Sequence, residues 1–161
     1  MGNLIKVGMA DLNTCTPPDT ITTLGLGSCI GVVLYDPRKK ICGMVHVMLP
    51  DSTSIRNNDN EAKFADTGIK LLLERLEKLG VTKGSLSAKI AGGAQMFAFN
   101  TNNEMLKVGA RNAEAVRKVL ADYRIRIVSE DCGENYGRTI EFFPETSELH
   151  IKAIGKPVKI I

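Results

Sequence analysis

The sequence predicts an α+β fold. Short strand-forming segments fill most of the chain, and only two segments carry helical periodicity. Those two do not alternate regularly with strands, as a doubly wound parallel sheet would require. At 161 residues the chain suits one domain, since domains commonly run to roughly 100–200 residues. No linker or internal repeat divides it, so residues 1–161 are read as a single domain.

The elements follow in order. Leu4–Met9, Ile30–Tyr35 and Ile41–Leu49 read as strands, the latter two nearly continuous apolar runs rich in β-branched residues. The polar stretch Asp51–Asn60, DSTSIRNNDN, reads as a loop. A helix is expected over Glu61–Leu79, with Asn60 as its cap and Gly80 in the left-handed position after the last turn. Phe64, Gly68, Leu71, Leu72, Leu76 and Leu79 form its apolar stripe. Ser87–Ala91 is the next strand, and Asn100–Glu104 a second loop. A second helix is expected over Ala113–Tyr123, capped by Asn112, with Val116, Val119, Leu120 and Tyr123 on one face. Arg124–Ser129, Thr139–Phe143, Leu149–Ile154 and Val158–Ile161 complete the strands. The first and third of these alternate polar and apolar, as half-buried strands do.

Composition removes several function classes. Aromatic residues are 5% and tryptophan is absent, leaving few platforms for stacking nucleic-acid bases. The net charge of +3 is spread among acids without a like-charged block, so no nucleic-acid partner is expected. No apolar run is long enough for a membrane span or a signal peptide, so membrane insertion is not expected either. Cys15, Cys29, Cys42 and Cys132 form no C-x-x-C pair, which speaks against a zinc or redox motif. Free thiols in a reducing, cytoplasmic setting are expected, with no metal or cofactor.

The informative stretch is Thr23–Pro50, TLGLGSCIGVVLYDPRKKICGMVHVMLP. Its glycines do not make a dinucleotide fingerprint: Cys29 stands where a third Gly would, and an extended segment follows rather than a helix. Asp36-Pro37-Arg38-Lys39 reads as a turn. With Pro37-Arg38 as a two-residue loop, the hairpin pairs Cys29 with His46, Ile30 with Val45 and Leu34 with Ile41. Directly opposed residues share a face, and a one-residue slip would separate the thiol from the imidazole.

A thiol beside an imidazole is an activated nucleophile: the ring takes the proton, and the resulting cation lowers the apparent thiol pKa. Gly25 and Gly27 let the backbone approach a substrate, and N–H groups around Gly27, Ser28 and Cys29 are candidates for an oxyanion pocket. A third group should orient the imidazole; by position Thr23 and Asp51 qualify. The residues alone leave a second reading open, in which Cys29 is a small buried hydrophobe and His46 a structural histidine. His150 and the other cysteines read as packing or surface residues.

TLGLGSCIGVVLYDP, GMVHVMLPDS and KFADTGIKLLLERL, continued by KIAGGAQMF, VGARNAEAV and SEDCGENYGRTIEF, resemble the chemoreceptor glutamine deamidase family, CheD. The likeness runs through nearly the whole chain in order. It implies a mixed or antiparallel β-sandwich with two or three packed helices, related to deamidating toxins that are cysteine hydrolases. It implies hydrolysis of glutamine side chains on chemotaxis receptors to glutamate and ammonia through a cysteine thioester, and hydrolysis of receptor glutamate methyl esters. Carried over by motif, Cys29 is the nucleophile, His46 the base and Thr23 the residue that orients it. Binding and stimulation of the phosphatase CheC is also implied. The sequence departs from the family at Cys132 and Glu134, where Thr and Gly are usual; a Gly there points to a positive φ. Competing readings are a binding module that has lost its catalytic role, a cysteine peptidase or transglutaminase, and a redox sensor at Cys29 lacking a well-placed resolving thiol.

Overall fold

A computed structural model describes residues 2–54, 59–96 and 107–161. In chain order the strands are β1 (Leu4–Val7), β2 (Leu12–Cys15), β3 (Thr20–Leu26), β4 (Ile30–Asp36), β5 (Ile41–Val47), β6 (Ser87–Gly92), β7 (Arg126–Cys132), β8 (Arg138–Phe143), β9 (Glu148–Lys152) and β10 (Lys159–Ile160). The helices are α1 (Ala65–Lys78), between β5 and β6, and α2 (Val108–Asp122), between β6 and β7. The strands form two five-stranded sheets, ordered β1-β3-β8-β9-β10 and β2-β5-β4-β6-β7. Each contains one parallel pair, β1 with β3 and β6 with β7, and is otherwise antiparallel. The α+β class expected from the sequence is therefore observed, as two mixed sheets and two helices.

The sheet centred on β4 is the middle layer. Val32, Leu34, Val45 and Ile90 face α1 and α2, meeting Ile69, Leu72, Val116 and Leu120 in one apolar cluster. Val33, Tyr35, Met44 and Ala91 face the other sheet, where they pack with Ile21, Ile140 and Phe142. Burial on both sides explains why β4 is an unbroken apolar run rather than an alternating one.

The β4–β5 hairpin forms, in a register two residues away from the expected one. Ile30 pairs with Val47, Gly31 with His46, Val32 with Val45 and Asp36 with Ile41. The two-residue loop is replaced by a longer turn over residues 37–40. The buried Asp36 carboxylate accepts the N–H groups of Arg38 and Lys39, at 2.9 and 3.1 Å, and Lys40 takes a left-handed conformation with φ 57°. Pro fixes φ near −65°, so a two-residue Pro-led turn cannot take the positive φ that the type I′ and II′ turns of tight hairpins require. Because the shift is even, face parity survives.

Both helices begin elsewhere than expected. Asn60 caps a 3₁₀ turn at Glu61–Lys63, its side chain accepting Ala62 N–H at 3.1 Å; Phe64 is extended, and α1 starts only at Ala65. The buried face is Ala65, Gly68, Ile69, Leu72, Leu73 and Leu76; Leu71 packs partly buried beside it, and Leu79 is exposed. Gly80 does adopt the left-handed conformation, φ 92°. Helix α2 starts at Val108, so Asn112 is a buried interior residue rather than a cap.

Two strands, β2 and β3, had no strand signal. In β3 the buried positions include Thr22 and Thr23, whose hydroxyls are satisfied within the fold; Thr22 donates to the Ile140 carbonyl at 2.6 Å. The remaining strands match their expected segments to within a few residues. The loop at Asn100–Glu104 lies outside the described residues, as does part of Asp51–Asn60.

Candidate active site

Three segments build the site: β3 with Thr23, the loop from Gly27 to Cys29 that enters β4, and β5 with His46. His46 lies opposite Gly31 on the face turned toward the other sheet. A Cβ at Gly31 would stand 3.5 Å from the Thr23 methyl and 2.6 Å from Ile140 Cδ1, so only glycine leaves room there. Cys29 comes two residues before Gly31 and packs against the same inter-sheet cluster. Thiol, imidazole and hydroxyl thus gather at one end of the space between the sheets. Cys29 is not directly opposite His46 as expected, but it lies on the same side.

The hydrogen bonds around Thr23 define the imidazole. Thr23 Oγ1 lies 2.7 Å from the Val7 carbonyl and 2.7 Å from His46 Nδ1. A hydroxyl has one proton, and the Val7 carbonyl can only accept. Thr23 therefore donates to Val7 and accepts from Nδ1–H. That fixes the tautomer and leaves the lone pair on Nε2, which is buried with no hydrogen-bond partner among the described residues. A buried, oriented and unengaged ring nitrogen is what a general base needs. Burial also holds the His46 pKa below the usual histidine value.

The thiol differs from expectation in its electrostatics. No hydrogen bond joins Cys29 Sγ to Nε2, and burial pushes the Cys29 pKa up rather than down. Burial thus disfavours the charged form of both the thiol and the imidazole. Such contacts commonly tighten only when substrate is bound.

Cys29 opens onto a pocket of about 330 Å³, also lined by Gly27, Ser28, Gln95, Met96 and Gly109. The carbonyls of Gly27 and Cys29 are drawn into the scaffold, accepting Ala94 N–H and Gly93 N–H at 2.9 Å each. The Gly27 amide donates to Gly25 O at 3.1 Å, whereas the amides of Ser28 and Cys29 donate to nothing among the described residues. Gly92 is required here: its φ is 118°, and an added Cβ would lie 2.1 Å from the Cys29 carbonyl oxygen.

Asp51, the other candidate to orient the ring, accepts the backbone N–H and hydroxyl of Thr53 at 2.8 Å each, while Nδ1 is taken by Thr23. Cys15 and Cys42 face each other across β2 and β5 with their sulfurs 3.4 Å apart. His150 lies on the surface side of β9, its ring tilted by 42° against that of Phe143 with centroids 4.3 Å apart. Among the described residues no group of three His, Cys, Asp or Glu side chains could hold a metal, and no helix is long and apolar enough to cross a membrane. Glu134 has φ 61°, so the position where glycine is usual does need positive φ. Its carbonyl accepts Gln95 N–H at 2.9 Å, at the pocket wall.

Fold and site together describe a two-sheet α+β protein with a pocket-facing thiol and a buried imidazole held by a threonine. Residues 48–153 match the family model described as CheD chemotactic sensory transduction. The chain belongs to the CheD family. It is 68% identical to the Lachnoclostridium phytofermentans protein named "Probable chemoreceptor glutamine deamidase CheD", over the full length of both chains. It is 55% identical to the chemoreceptor glutamine deamidase CheD of Halalkalibacterium halodurans, again over all of both chains. The Bacillus subtilis protein of that name is 47% identical, covering 98% of this chain and 96% of that one.

Proposed function

We propose that this protein hydrolyses glutamine side-chain amides on chemotaxis receptors, with Cys29 as nucleophile, His46 as base and Thr23 as the residue that orients His46. The observation carrying this reading is the unengaged Nε2 of a buried His46 whose other nitrogen is held by Thr23. The names of its full-length relatives support the substrate.

His46 Nε2 takes the Cys29 proton as sulfur attacks the side-chain carbonyl carbon. The carbonyl oxygen becomes an oxyanion facing the free N–H groups of Ser28 and Cys29; the engaged Gly27 N–H makes Gly27 a spacer in this scheme. Protonated His46 returns its proton to the amide nitrogen, the C–N bond breaks, and ammonia leaves a thioester on Cys29. His46 then takes a proton from water, hydroxide adds to the thioester, and the C–S bond breaks as His46 returns that proton to sulfur, giving a carboxylic acid and the regenerated thiol. Two moderate barriers replace one high one. The product is ionised at neutral pH, and each turnover adds a negative charge to the receptor, a local electrostatic change able to bias a two-state signalling element.

The same scheme accommodates receptor glutamate methyl esters, with methanol as leaving group. Four free cysteines suit a reducing compartment, and the cytoplasm is the proposed location. The family resemblance extends the proposal to binding of CheC. A receptor cytoplasmic fragment incubated with the protein should release ammonia and gain the mass of amide-to-acid conversion. Cys29→Ala should abolish both and still be captured by CheC; conversion persisting in that variant refutes the proposed nucleophile.

A further inference from the structure

We infer that Asn112 is a positioning residue for the reaction: it holds the Ser28–Cys29 peptide so that the Cys29 N–H is presented to the substrate oxyanion. This deepens the hydrolase reading and rests on it.

Asn112 sits inside α2 with no exposed surface. Ser, Asp and Asn are poor residues for a helix interior, and a buried amide is tolerated where it is hydrogen-bonded. Asn112 Nδ2 donates to the Ser28 carbonyl and to the Met48 carbonyl, at 2.9 Å each. Both acceptors are carbonyls, so the amide orientation is unambiguous and both of its protons are engaged, while Oδ1 is buried with no hydrogen-bond partner among the described residues. One acceptor lies immediately before the nucleophile. The other lies two residues after His46, just beyond β5. A single side chain therefore ties the Cys29 loop to the end of the histidine strand.

The consequence for chemistry follows from the planar trans peptide, whose C=O and N–H point in opposite directions. Fixing the Ser28 carbonyl fixes the Cys29 N–H on the other side of the same plane. The carbonyls of Gly27, Ser28 and Cys29 are all pulled into the scaffold, the first and third by backbone amides of Ala94 and Gly93. Only the middle one is held by a side chain. It belongs to the peptide whose N–H lies at the nucleophile and is unengaged among the described residues. Helix α2 is itself set close against this corner: a Cβ on Gly109 would lie 2.4 Å from the Ala94 carbonyl. The helix that lines the pocket through Gly109 thus also carries the residue that holds the oxyanion donor.

The test compares Asn112→Ala and Asn112→Ser with wild type, in the full chain, on a receptor cytoplasmic fragment. Removing one oxyanion donor typically lowers kcat by about 100–1000-fold, and a fall of that order with little change in KM is expected. Alkylation of Cys29 by iodoacetamide forms no oxyanion, so its rate and pH profile should stay close to wild type. Parallel loss of alkylation and deamidation would overturn the inference, because Asn112 would then act on the thiol–imidazole pair or on the loop as a whole. Unchanged kcat, or loss of cooperative melting in both variants, would overturn it as well. Deamidation that survives Cys29→Ala would instead refute the cysteine-nucleophile reading beneath it; a Cys29-dependent enzyme indifferent to Asn112 refutes this inference alone.

Discussion

Replacing Thr23 by valine removes a hydroxyl while keeping the branched shape, and the structure allows the effect to be worked out. Two 2.7 Å contacts disappear, one to the Val7 carbonyl and one from His46 Nδ1–H. The imidazole is fully buried, so water does not readily replace the lost acceptor. An unpaired buried donor costs about 1–3 kcal/mol. The ring can escape that cost by moving its proton to Nε2 or by rotating, and either change removes the lone pair from where the thiol needs it. If that free energy appears as the penalty for restoring the productive tautomer, at tenfold per about 1.4 kcal/mol, kcat/KM should fall by roughly 5- to 150-fold. Thr23→Ser keeps the hydroxyl and should stay near wild type. Ammonia release from a receptor fragment, with thermal melts of each variant, reads the result. A Thr23→Val enzyme that folds normally and retains full kcat/KM would show that the imidazole is not oriented through this hydroxyl.

Other outcomes follow from the same geometry. Because burial lowers the His46 pKa, the unfolded chain binds the proton more readily below the ordinary histidine value of 6.5, and stability should fall as pH drops through that region. Urea midpoints at pH 7 and pH 5 should therefore converge in His46→Gln relative to wild type. The acid limb of kcat/KM should likewise lie below the usual histidine pKa. Arg138 is buried, with Nε 3.0 Å from Asp131 and a terminal nitrogen 3.0 Å from the Gly133 carbonyl; removing one member of a buried pair costs about 3–5 kcal/mol. Asp131 keeps its contact to Lys159 at 3.1 Å, so Arg138→Ala should lie at the low end of that range, read by chemical denaturation. In native protein, iodoacetamide should label Cys29 ahead of Cys132, whose pKa burial pushes up to about 11, and should leave the buried Cys15 and Cys42 intact; peptide mapping checks this. Gly92→Ala should lose both stability and activity, because strained backbone costs about 1–3 kcal/mol even before the Cys29 carbonyl is displaced.

Local chemistry was legible in the chain itself. The apolar runs of β4 and β5 predict a buried hairpin, and the shared parity of Cys29 and His46 follows from the two-residue repeat of a strand whichever even register forms. Gly80 after a helical stripe was equally readable, since left-handed backbone leaves a residue-type signature; positive φ at position 134 was suggested only by the family resemblance, because the residue here is Glu. What needed the fold was every relation between segments distant in sequence. Strand β3 looked like a glycine-rich lead because its buried residues include threonines, and a buried hydroxyl is acceptable only when Val7 or Ile140 supplies an acceptor from another strand. Asn112 looked like a helix cap because nothing local shows that the Ser28 and Met48 carbonyls arrive beside it. The direction of the thiol pKa was inverted for the same reason: spacing reveals that a sulfur and an imidazole share a face, but desolvation depends on what the tertiary structure packs around them.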